Sequence, residues 1–381
     1  MGSSGSSPRD CDLTTPGSRW QLGRMPRNPD PELLQQFSGR IFQSLQGAMT
    51  SAMICLGDRL GLYRVLAAGE AMNSEALARR TGLSERWLRE WLHQQGAAGV
   101  LEHRGDERFV LSAEGEAVLA DEDHPAFGAG WFSSLPQTMG VLEELPEAFR
   151  TGIGLDYDAL GPEGARGVER GFAAWFRSLL VPVALPRVSG VVEALSTGVQ
   201  VADVGCGGGV ALVEMAKAYP DSEYHGYELS QHALNRARAN ASAAGLENVH
   251  FHDARQEPIP EDGRFAFVTT FDCLHDMPDP VSVIQAIRAA VAEDGVWMIS
   301  DIKARDGYEA NVEHNPMAAL MYGTSVLTCM SSALSEAGGL GLGTLGLHEA
   351  LARQLAAEAG FASFERLELD HPVNAFYVVR P

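Results

Sequence analysis

The sequence is poor in cysteine and has no long apolar run. Its 381 residues include five cysteines, which are scattered, odd in number and without the C-x-x-C spacing of a zinc or redox site. This usage predicts neither a disulfide framework nor a structural metal, and it favours a reducing compartment. No apolar stretch reaches the ~20 residues of a membrane span, and the N-terminus lacks a charged-then-apolar export signal. We therefore expect a soluble, cytoplasmic protein.

Positive charge is also scarce. The chain carries 29 Lys and Arg residues against 50 Asp and Glu residues, which gives a formal net charge of −21. A general polyanion binder needs an excess of cations to neutralise phosphates. This balance argues against nucleic acid as the principal partner.

The length of the chain predicts more than one unit. Residues 1–28 are small, polar and turn-prone and suggest a flexible tail. Residues 29–120 begin with apolar residues at helical spacing over 31–68, and more apolar surface lies there than one helix can bury by itself. A helix, a turn at Gly82, a second helix and a short hairpin follow, with Ser74 and Ser84 as expected N-caps. This order predicts a winged helix.

A winged helix raises the possibility of DNA binding. The second helix would enter the groove, but it carries apolar residues for which burial is expected: Trp87, Leu88, Trp91 and Leu92. Glu85 and Glu90 offset the arginines beside them, so few side chains remain to contact bases. We therefore favour a structural, dimerising role for residues 29–120 and expect a homodimer.

Residues 121–197 form a proline-broken, aromatic-rich bridge, which we expect to be helical and to line a substrate pocket. Within it, Phe172 and Trp175 are candidates for the pocket wall, since substrate sites favour domain junctions. Residues 198–381 alternate strand and helix patterns, with strands expected at 224–227, 249–251, 265–271, 296–301, 364–369 and 375–379. Together with a strand over 201–204 they predict an α/β fold, a doubly wound, Rossmann-like sheet.

The most informative stretch runs from Val201 to Gly209, where a buried strand turns through glycines into a helix over 210–218. Glycines let a backbone turn tightly and come close to a ligand. Asp203 lies just ahead of them, where it would repel a pyrophosphate and attract a cationic cofactor. Glu228 follows 25 residues later at the end of the next strand, where such folds place the carboxylate that holds a ribose diol.

This arrangement resembles the cofactor site of class I methyltransferases. The resemblance implies S-adenosylmethionine as cofactor, with the glycine loop against its amino-acid part, Glu228 on the ribose hydroxyls and an acid after the third strand, Asp253, near adenine. The implied cofactor contacts are Asp203, Gly205, Cys206, Gly207, Glu228, Leu229, Asp253, Ala254 and Phe271.

A second motif follows the fourth strand of the predicted sheet, Leu274-His275-Asp276-Met277-Pro278-Asp279. It resembles an element of small-molecule O-methyltransferases of plants and bacteria, which carry an N-terminal winged helix for dimerisation, although Met277 replaces the usual Trp. The resemblance implies that His275 is the general base that removes the acceptor's hydroxyl proton. Asp276 and Asp301 are further candidate catalytic residues, and His314 and Tyr322 are candidate substrate contacts beside Phe172 and Trp175.

Much of the chain also resembles largely uncharacterised bacterial methyltransferases that are often labelled as regulators, in Asp301-Ile302-Lys303, the glycine-rich 339–343 and His371–Tyr377. The long connection over 304–346 suggests a lid, with Gly338–Gly343 as its hinge. Methylation at sulfur, nitrogen or carbon and a regulator that senses S-adenosylmethionine stay open as alternatives to O-methylation. His250 and His252 beside Asp253 are interpreted as surface residues, and no metal is expected.

Overall fold

A computed structural model describes residues 28–67 and 69–381 of the chain. The predicted tail, residues 1–28, falls outside the described residues except for Asn28. The chain divides into two units, residues 1–47 and 48–381, and each is described by itself.

Helix α1 (Pro31–Arg59) begins in the first unit. The Asp30 carboxylate accepts hydrogen bonds from the backbone N–H groups of Glu32 and Leu33, at 2.9 and 3.2 Å, and thereby caps the first turn. The predicted stripe of large apolar side chains on this helix is exposed: Leu33, Leu34, Phe37, Ile41, Phe42, Leu45 and Met49.

The winged-helix region lies in the second unit. Its elements are α2 (Leu62–Leu66), α3 (Ser74–Thr81), α4 (Glu85–Ala97), β1 (Glu102–His103), β2 (Phe109–Val110) and α5 (Ala113–Leu119). The turn at Gly82 has a φ of 73°, which explains the glycine.

Two local predictions about this region were wrong. The N-cap of α3 is Asn73, whose side chain accepts a hydrogen bond from the Ala76 N–H, while Ser74 is already the first helical residue. Trp87 is 79% exposed, although Leu88, Trp91 and Leu92 are buried as expected. Trp87 lies outside the packed face of α4 that carries Leu88, Trp91 and Leu92, so a large apolar side chain alone did not indicate burial here.

The bridge is helical, as predicted. It contains α6 (Ala129–Ser133), α7 (Leu135–Gly140), α8 (Leu145–Thr151), α9 (Gly161–Trp175), a π-helical segment (Phe176–Ala184) and α10 (Val191–Thr197). Two bidentate ion pairs hold α9. The guanidinium of Arg170 binds the buried Asp58 at 2.7 and 3.0 Å, and Glu169 accepts two 2.8 Å bonds from Arg236.

The remaining strands form one seven-stranded sheet in the described part of the chain. They are β3 (Gln200–Val204), β4 (Glu223–Glu228), β5 (Val249–Asp253), β6 (Phe265–Phe271), β7 (Val291–Ile302), β8 (Ser363–Leu367) and β9 (Asn374–Arg380). Their order is β5-β4-β3-β6-β7-β9-β8, and β9 pairs antiparallel with both neighbours. The predicted doubly wound sheet is confirmed.

Helices cover both faces of the sheet. They include α11 (Val210–Ala218), α12 (Gln231–Ala243), α13 (Pro280–Ala290) and α17 (Glu349–Glu358). Two apolar cores result, one around Leu212, Met215 and Phe267 and the other around Ile284, Trp297 and Leu355. The strand order reverses between β3 and β6, so ligands are expected at their carboxyl ends.

The long connection after β7 contains α14 (Tyr308–His314), α15 (Ala318–Leu327) and α16 (Cys329–Ala333). The glycine-rich segment that follows is bonded to the loop after β6. The Leu340 N–H donates to the Pro278 carbonyl and the Gly343 N–H to the His275 carbonyl, both at 2.9 Å. Its action as a hinge stays a prediction.

In the residues that the structure describes, no single helix is long and apolar enough to cross a membrane. A bent helical pair, Tyr157–Arg187 with Val191–Thr197, has the length and apolar composition of a membrane span, but the chain turns by 106° between its two parts.

Candidate active site at the carboxyl edge of the sheet

The glycine turn after β3 is built as the sequence suggests. Gly205 and Gly207 have φ angles of 74° and 53°, a region that side chains disfavour. A Cβ at Gly205 would lie 2.7 Å from Cys273 Sγ, so this glycine allows close packing of two loops. A Cβ at Gly207 would meet open space, and its backbone is therefore accessible to a ligand.

Glu228 at the end of β4 organises this turn. Its carboxylate accepts three backbone hydrogen bonds of 2.8 Å, one from the Gly207 N–H and two from the N–H groups of Leu229 and Ser230. Burial raises the pKa of Glu228, and the three N–H donors oppose the rise. One carboxylate thus joins the loop after β3 to the loop after β4, where the predicted ribose site would lie.

Asp203 is buried near the end of β3, just ahead of the glycine turn. It is 1% exposed, and its carboxylate accepts a 2.7 Å hydrogen bond from the Thr269 hydroxyl on β6. Burial raises its pKa to about 7, with the Thr269 bond acting in the opposite direction. This hydrogen bond joins β3 to β6 beneath the turn, and contact between Asp203 and the cofactor stays a prediction.

The other predicted cofactor residues surround these loops. Asp253, at the end of β5, accepts hydrogen bonds from the amides of Gln231 and Gln256, at 2.8 and 2.9 Å. The Ala254 N–H donates to the Glu228 carbonyl at 3.0 Å. Leu229 is 39% exposed, whereas Cys206 and Phe271 are buried.

The second part of the site follows β6. His275 lies in a short 3₁₀ turn over Leu274–Asp276 and is 2% exposed. Its Nδ1 lies 2.6 Å from Asp301 Oδ1 on β7, and this oxygen also accepts the Ile302 N–H at 2.8 Å. A carboxylate partner fixes the proton on Nδ1, so Nε2 is the ring nitrogen free to accept another proton.

The charge of His275 is set by its neighbours. Burial lowers its pKa, but the attraction and hydrogen bond of Asp301, together with the contacts to Cys329, outweigh burial. The net pKa lies well above the ordinary value of 6.5. The imidazole is therefore a stronger base than an isolated histidine.

Two residues of this cluster were missed by the sequence reasoning. Ligand atoms of His275, Asp276 and Cys329 lie within 4.8 Å of one another, and Tyr157 Oη lies 3.8 Å from Cys329 Sγ. Burial would raise the pKa of the Cys329 thiol, but His275 lowers it to about 7. Tyr157 comes from the bridge and Cys329 from the long connection, and no local signal marked either one.

Asp272 directly follows β6 and lies next to this cluster. It has a φ of 50°, and its carboxylate oxygens accept bonds of 2.6 and 2.5 Å from the Asn374 amide on β9. Burial raises the pKa of Asp272 to about 8, and the neighbouring Asp301 adds to the rise. Strained backbone of this kind is common at functional sites.

The four side chains predicted to contact substrate do not form one cluster. Trp175 stacks on Phe376 at 5.5 Å and meets Phe271 edge-on at 5.7 Å, so it borders the loop after β6. Phe172 packs against Trp131 in the adjoining aromatic cluster. Tyr322 is partly buried beside Tyr308, and His314 is half exposed with Glu313 as its charged neighbour.

The histidines of β4 and β5 form a separate group. His225 Nδ1 lies 3.2 Å from His252 Nε2, His252 Nδ1 lies 2.7 Å from Glu257, and His250 pairs with Glu223 at 3.1 Å. His225 was not predicted to belong to this group, because only the strand register brings it opposite His250.

Comparison with known proteins agrees with this geometry. Residues 195–360 match the family described as Methyltransferase domain, and residues 48–121 match the Rv2258c-like winged HTH domain. The chain therefore contains a methyltransferase domain preceded by a winged helix-turn-helix domain. The ubiquinone biosynthesis O-methyltransferase of Actinobacillus pleuropneumoniae is 32% identical over 111 residues, which are 28% of this chain and 46% of that protein. The match thus spans less than half the length of this curated relative.

Solved structures show the same fold over nearly the whole chain. A candidate O-methyltransferase from Nostoc punctiforme superposes with a TM-score of 0.68 at 16% identity and covers 93% of this chain and 99% of its own. Human N-acetylserotonin methyltransferase, solved in complex with SAM, superposes with a TM-score of 0.62 at 17% identity, with coverage of 93% and 99%. At these identities the likeness concerns the fold.

Proposed function

We propose that this protein transfers the methyl group of S-adenosylmethionine to a small-molecule acceptor, at oxygen, with His275 as general base. The observation that carries the proposal is the buried pair of His275 and Asp301, placed at the carboxyl edge of a methyltransferase-type sheet beside the glycine turn. A base fixed at this edge faces the place where such folds bind their ligands.

The residues of the glycine turn suit the proposed cofactor. Gly207 offers accessible backbone at a positive φ, and Glu228 offers a carboxylate at the loop where a ribose diol would bind. The bound cofactor would supply an activated methyl group on a sulfonium. Glu228 and Asp253 place two carboxylates around the turn, which favours a cation there. Asp203 acts by holding the turn in place.

The role of His275 follows from its hydrogen bonds. A neutral hydroxyl is a poor nucleophile until a base removes its proton. Asp301 holds the Nδ1 proton, so Nε2 accepts the proton of the acceptor, and the carboxylate stabilises the imidazolium that results. Tyr157 and Asp276 would position the acceptor, since both lie beside the thiol of Cys329.

We also propose that the functional form is a homodimer in a reducing compartment such as the cytoplasm. The seven large apolar side chains of the α1 stripe, from Leu33 to Met49, are 50–70% exposed in the single chain, and a second copy of the same helix is a partner with a matching apolar surface. The winged helix then serves assembly. A reducing compartment would keep Cys329 as a thiol beside His275.

The test is direct. Isothermal titration calorimetry of the full chain with S-adenosylmethionine should show one site per chain, and a panel of phenol, catechol, thiol and amine acceptors should identify the accepted atom by mass spectrometry. Transfer to a phenol or catechol supports O-methylation. Methyl transfer to thiols or amines alone would show that the accepting atom is sulfur or nitrogen and not oxygen. Cofactor binding with salt-dependent retention on DNA and no transfer to any acceptor would favour the regulator.

A further inference from the structure

Three side chains with metal-binding atoms converge in the site around His275. The ligand atoms of His275, Asp276 and Cys329 lie within 4.8 Å of one another; His275 and Cys329 are buried, and the Asp276 side chain is partly buried. We propose that they form a binding site for a borderline-soft divalent cation, with Zn²⁺ as the best fit.

The donor set selects the class of ion. One imidazole nitrogen, one thiolate sulfur and one carboxylate oxygen form the mixed set that tetrahedral zinc accepts, whereas Mg²⁺ and Ca²⁺ prefer oxygen alone. In such a site neighbouring ligand atoms lie about 3.3–3.6 Å apart, given metal–ligand bonds of about 2.0–2.3 Å. The three ligand atoms lie within 4.8 Å of one another, so small side-chain rotations would have to bring them to this spacing.

The surroundings supply the support that a metal-bound histidine requires. The Nδ1 of His275 is bonded to Asp301 at 2.6 Å, which leaves Nε2 for the ion, as in carboxylate–histidine–zinc arrangements. Thr328 Oγ1 and Tyr157 Oη lie 3.5 and 3.8 Å from Cys329 Sγ and orient the sulfur. Three protein ligands leave a fourth position for water or for an incoming donor.

Electrostatics favours a cation at this point. Asp276 and Asp301 are buried, Asp272 adjoins them, and His275 is the basic group among them. Buried carboxylates without full compensation are costly, and a divalent ion would neutralise two negative charges. The ion would occupy Nε2 of the proposed base, so it would compete with the methyl acceptor and leave the glycine turn free.

The experiment uses the reduced, EDTA-treated full chain without cofactor or acceptor, so its outcome does not depend on methyl transfer. Titration with Co²⁺ should give a 1:1 complex with the ultraviolet charge-transfer band of a cobalt–thiolate bond, and Zn²⁺ should displace it. Cys329→Ser, Cys329→Ala and His275→Gln should each abolish the band, and each should weaken Zn²⁺ binding at least about tenfold, since even outer-shell changes cost that much. Circular dichroism verifies that each variant is folded.

Two matched controls separate this site from others on the chain. Cys55→Ser removes a buried thiol of α1, and His250→Gln removes an exposed histidine of the β4–β5 group. Both should keep the cobalt–thiolate band. Absence of the band in the parent protein would overturn the proposal, as would its persistence in both folded Cys329 variants or its loss in His250→Gln.

Discussion

Nδ1 of His275 and Oδ1 of Asp301 lie 2.6 Å apart, and both residues are 2% exposed. The two residues come from different strand ends, β6 and β7, which the sheet makes neighbours. The pair fixes one tautomer of the imidazole and raises its basicity. Its removal should therefore change both turnover and the pH dependence of turnover, which the loss of a merely structural hydrogen bond would not do.

His275→Ala should reduce turnover by about 10²–10⁴-fold because the acceptor loses its base. Asp301→Asn should reduce turnover within a similar range, since an amide no longer holds the required tautomer. Calorimetry should show near-normal S-adenosylmethionine affinity in both variants. His250→Ala, which removes an exposed histidine of the separate β4–β5 group, is the control and should keep its activity. Unchanged turnover in His275→Ala would mean that the acceptor arrives already nucleophilic.

The pH profile offers a second test of the same pair, measured with EDTA present. His275 must be neutral at Nε2 to accept a proton, so turnover should be lost as pH falls through its pKa. Asp301 raises that pKa, and the acid limb should therefore lie above pH 6.5. Asp301→Asn removes the larger of the two influences that raise this pKa, so the residual activity should have its acid limb at lower pH than in the parent. An identical limb in parent and variant would assign it to another group.

Glu228→Ala should weaken S-adenosylmethionine binding by about 1.5–3 kcal/mol, because the ribose diol loses charge-assisted hydrogen bonds. The carboxylate also holds the N–H groups of Gly207, Leu229 and Ser230, so the glycine turn should become more mobile. Calorimetry measures the first effect and amide hydrogen exchange the second. Glu223→Ala on the same strand removes an exposed carboxylate and is the control. Equal affinities in parent and Glu228→Ala would refute the assignment.

Charged substitutions on the apolar face of α1 should dissociate the expected dimer. Phe37→Asp combined with Ile41→Asp places two carboxylates on exposed apolar positions and should give a monomer by light scattering at micromolar concentration. Gln43→Asp, on the opposite side of the helix, should leave assembly unchanged. A parent chain that is monomeric under these conditions would remove the basis for the dimer.

Arg170→Met should lower the free energy of unfolding by about 3–5 kcal/mol, because it leaves the carboxylate of Asp58 buried and unpaired. Arg166→Met on the same helix loses only an exposed 3.8 Å pair with Glu163, and it should cost less than about 1 kcal/mol. Urea unfolding followed by circular dichroism measures both. Similar costs in the two variants would show that the pair with Asp58 does not anchor α9.

Much of the fold was accessible from local sequence signals. The helix after the glycine turn was predicted at its observed bounds, Val210–Ala218, and the fourth strand of the sheet at Phe265–Phe271. Both follow from patterns that extend over a few residues: β-branched runs, glycines at a turn and apolar spacing of three and four. The errors at Ser74 and Trp87 concern single side chains, whose placement depends on neighbours outside the local pattern.

The sequence by itself determined the order of strands and helices, the glycine turn with Glu228 after it, and the position of His275 at the end of a strand. Only the tertiary structure decided which groups surround that histidine. Asp301 lies 26 residues beyond His275, and Tyr157 and Cys329 are 172 residues apart in the chain, yet all four converge. The tertiary structure likewise buried Asp203 against Thr269. Local propensities act over a turn or a strand, whereas contacts of this range depend on crossover connections and on how the bridge and the long connection pack over the sheet.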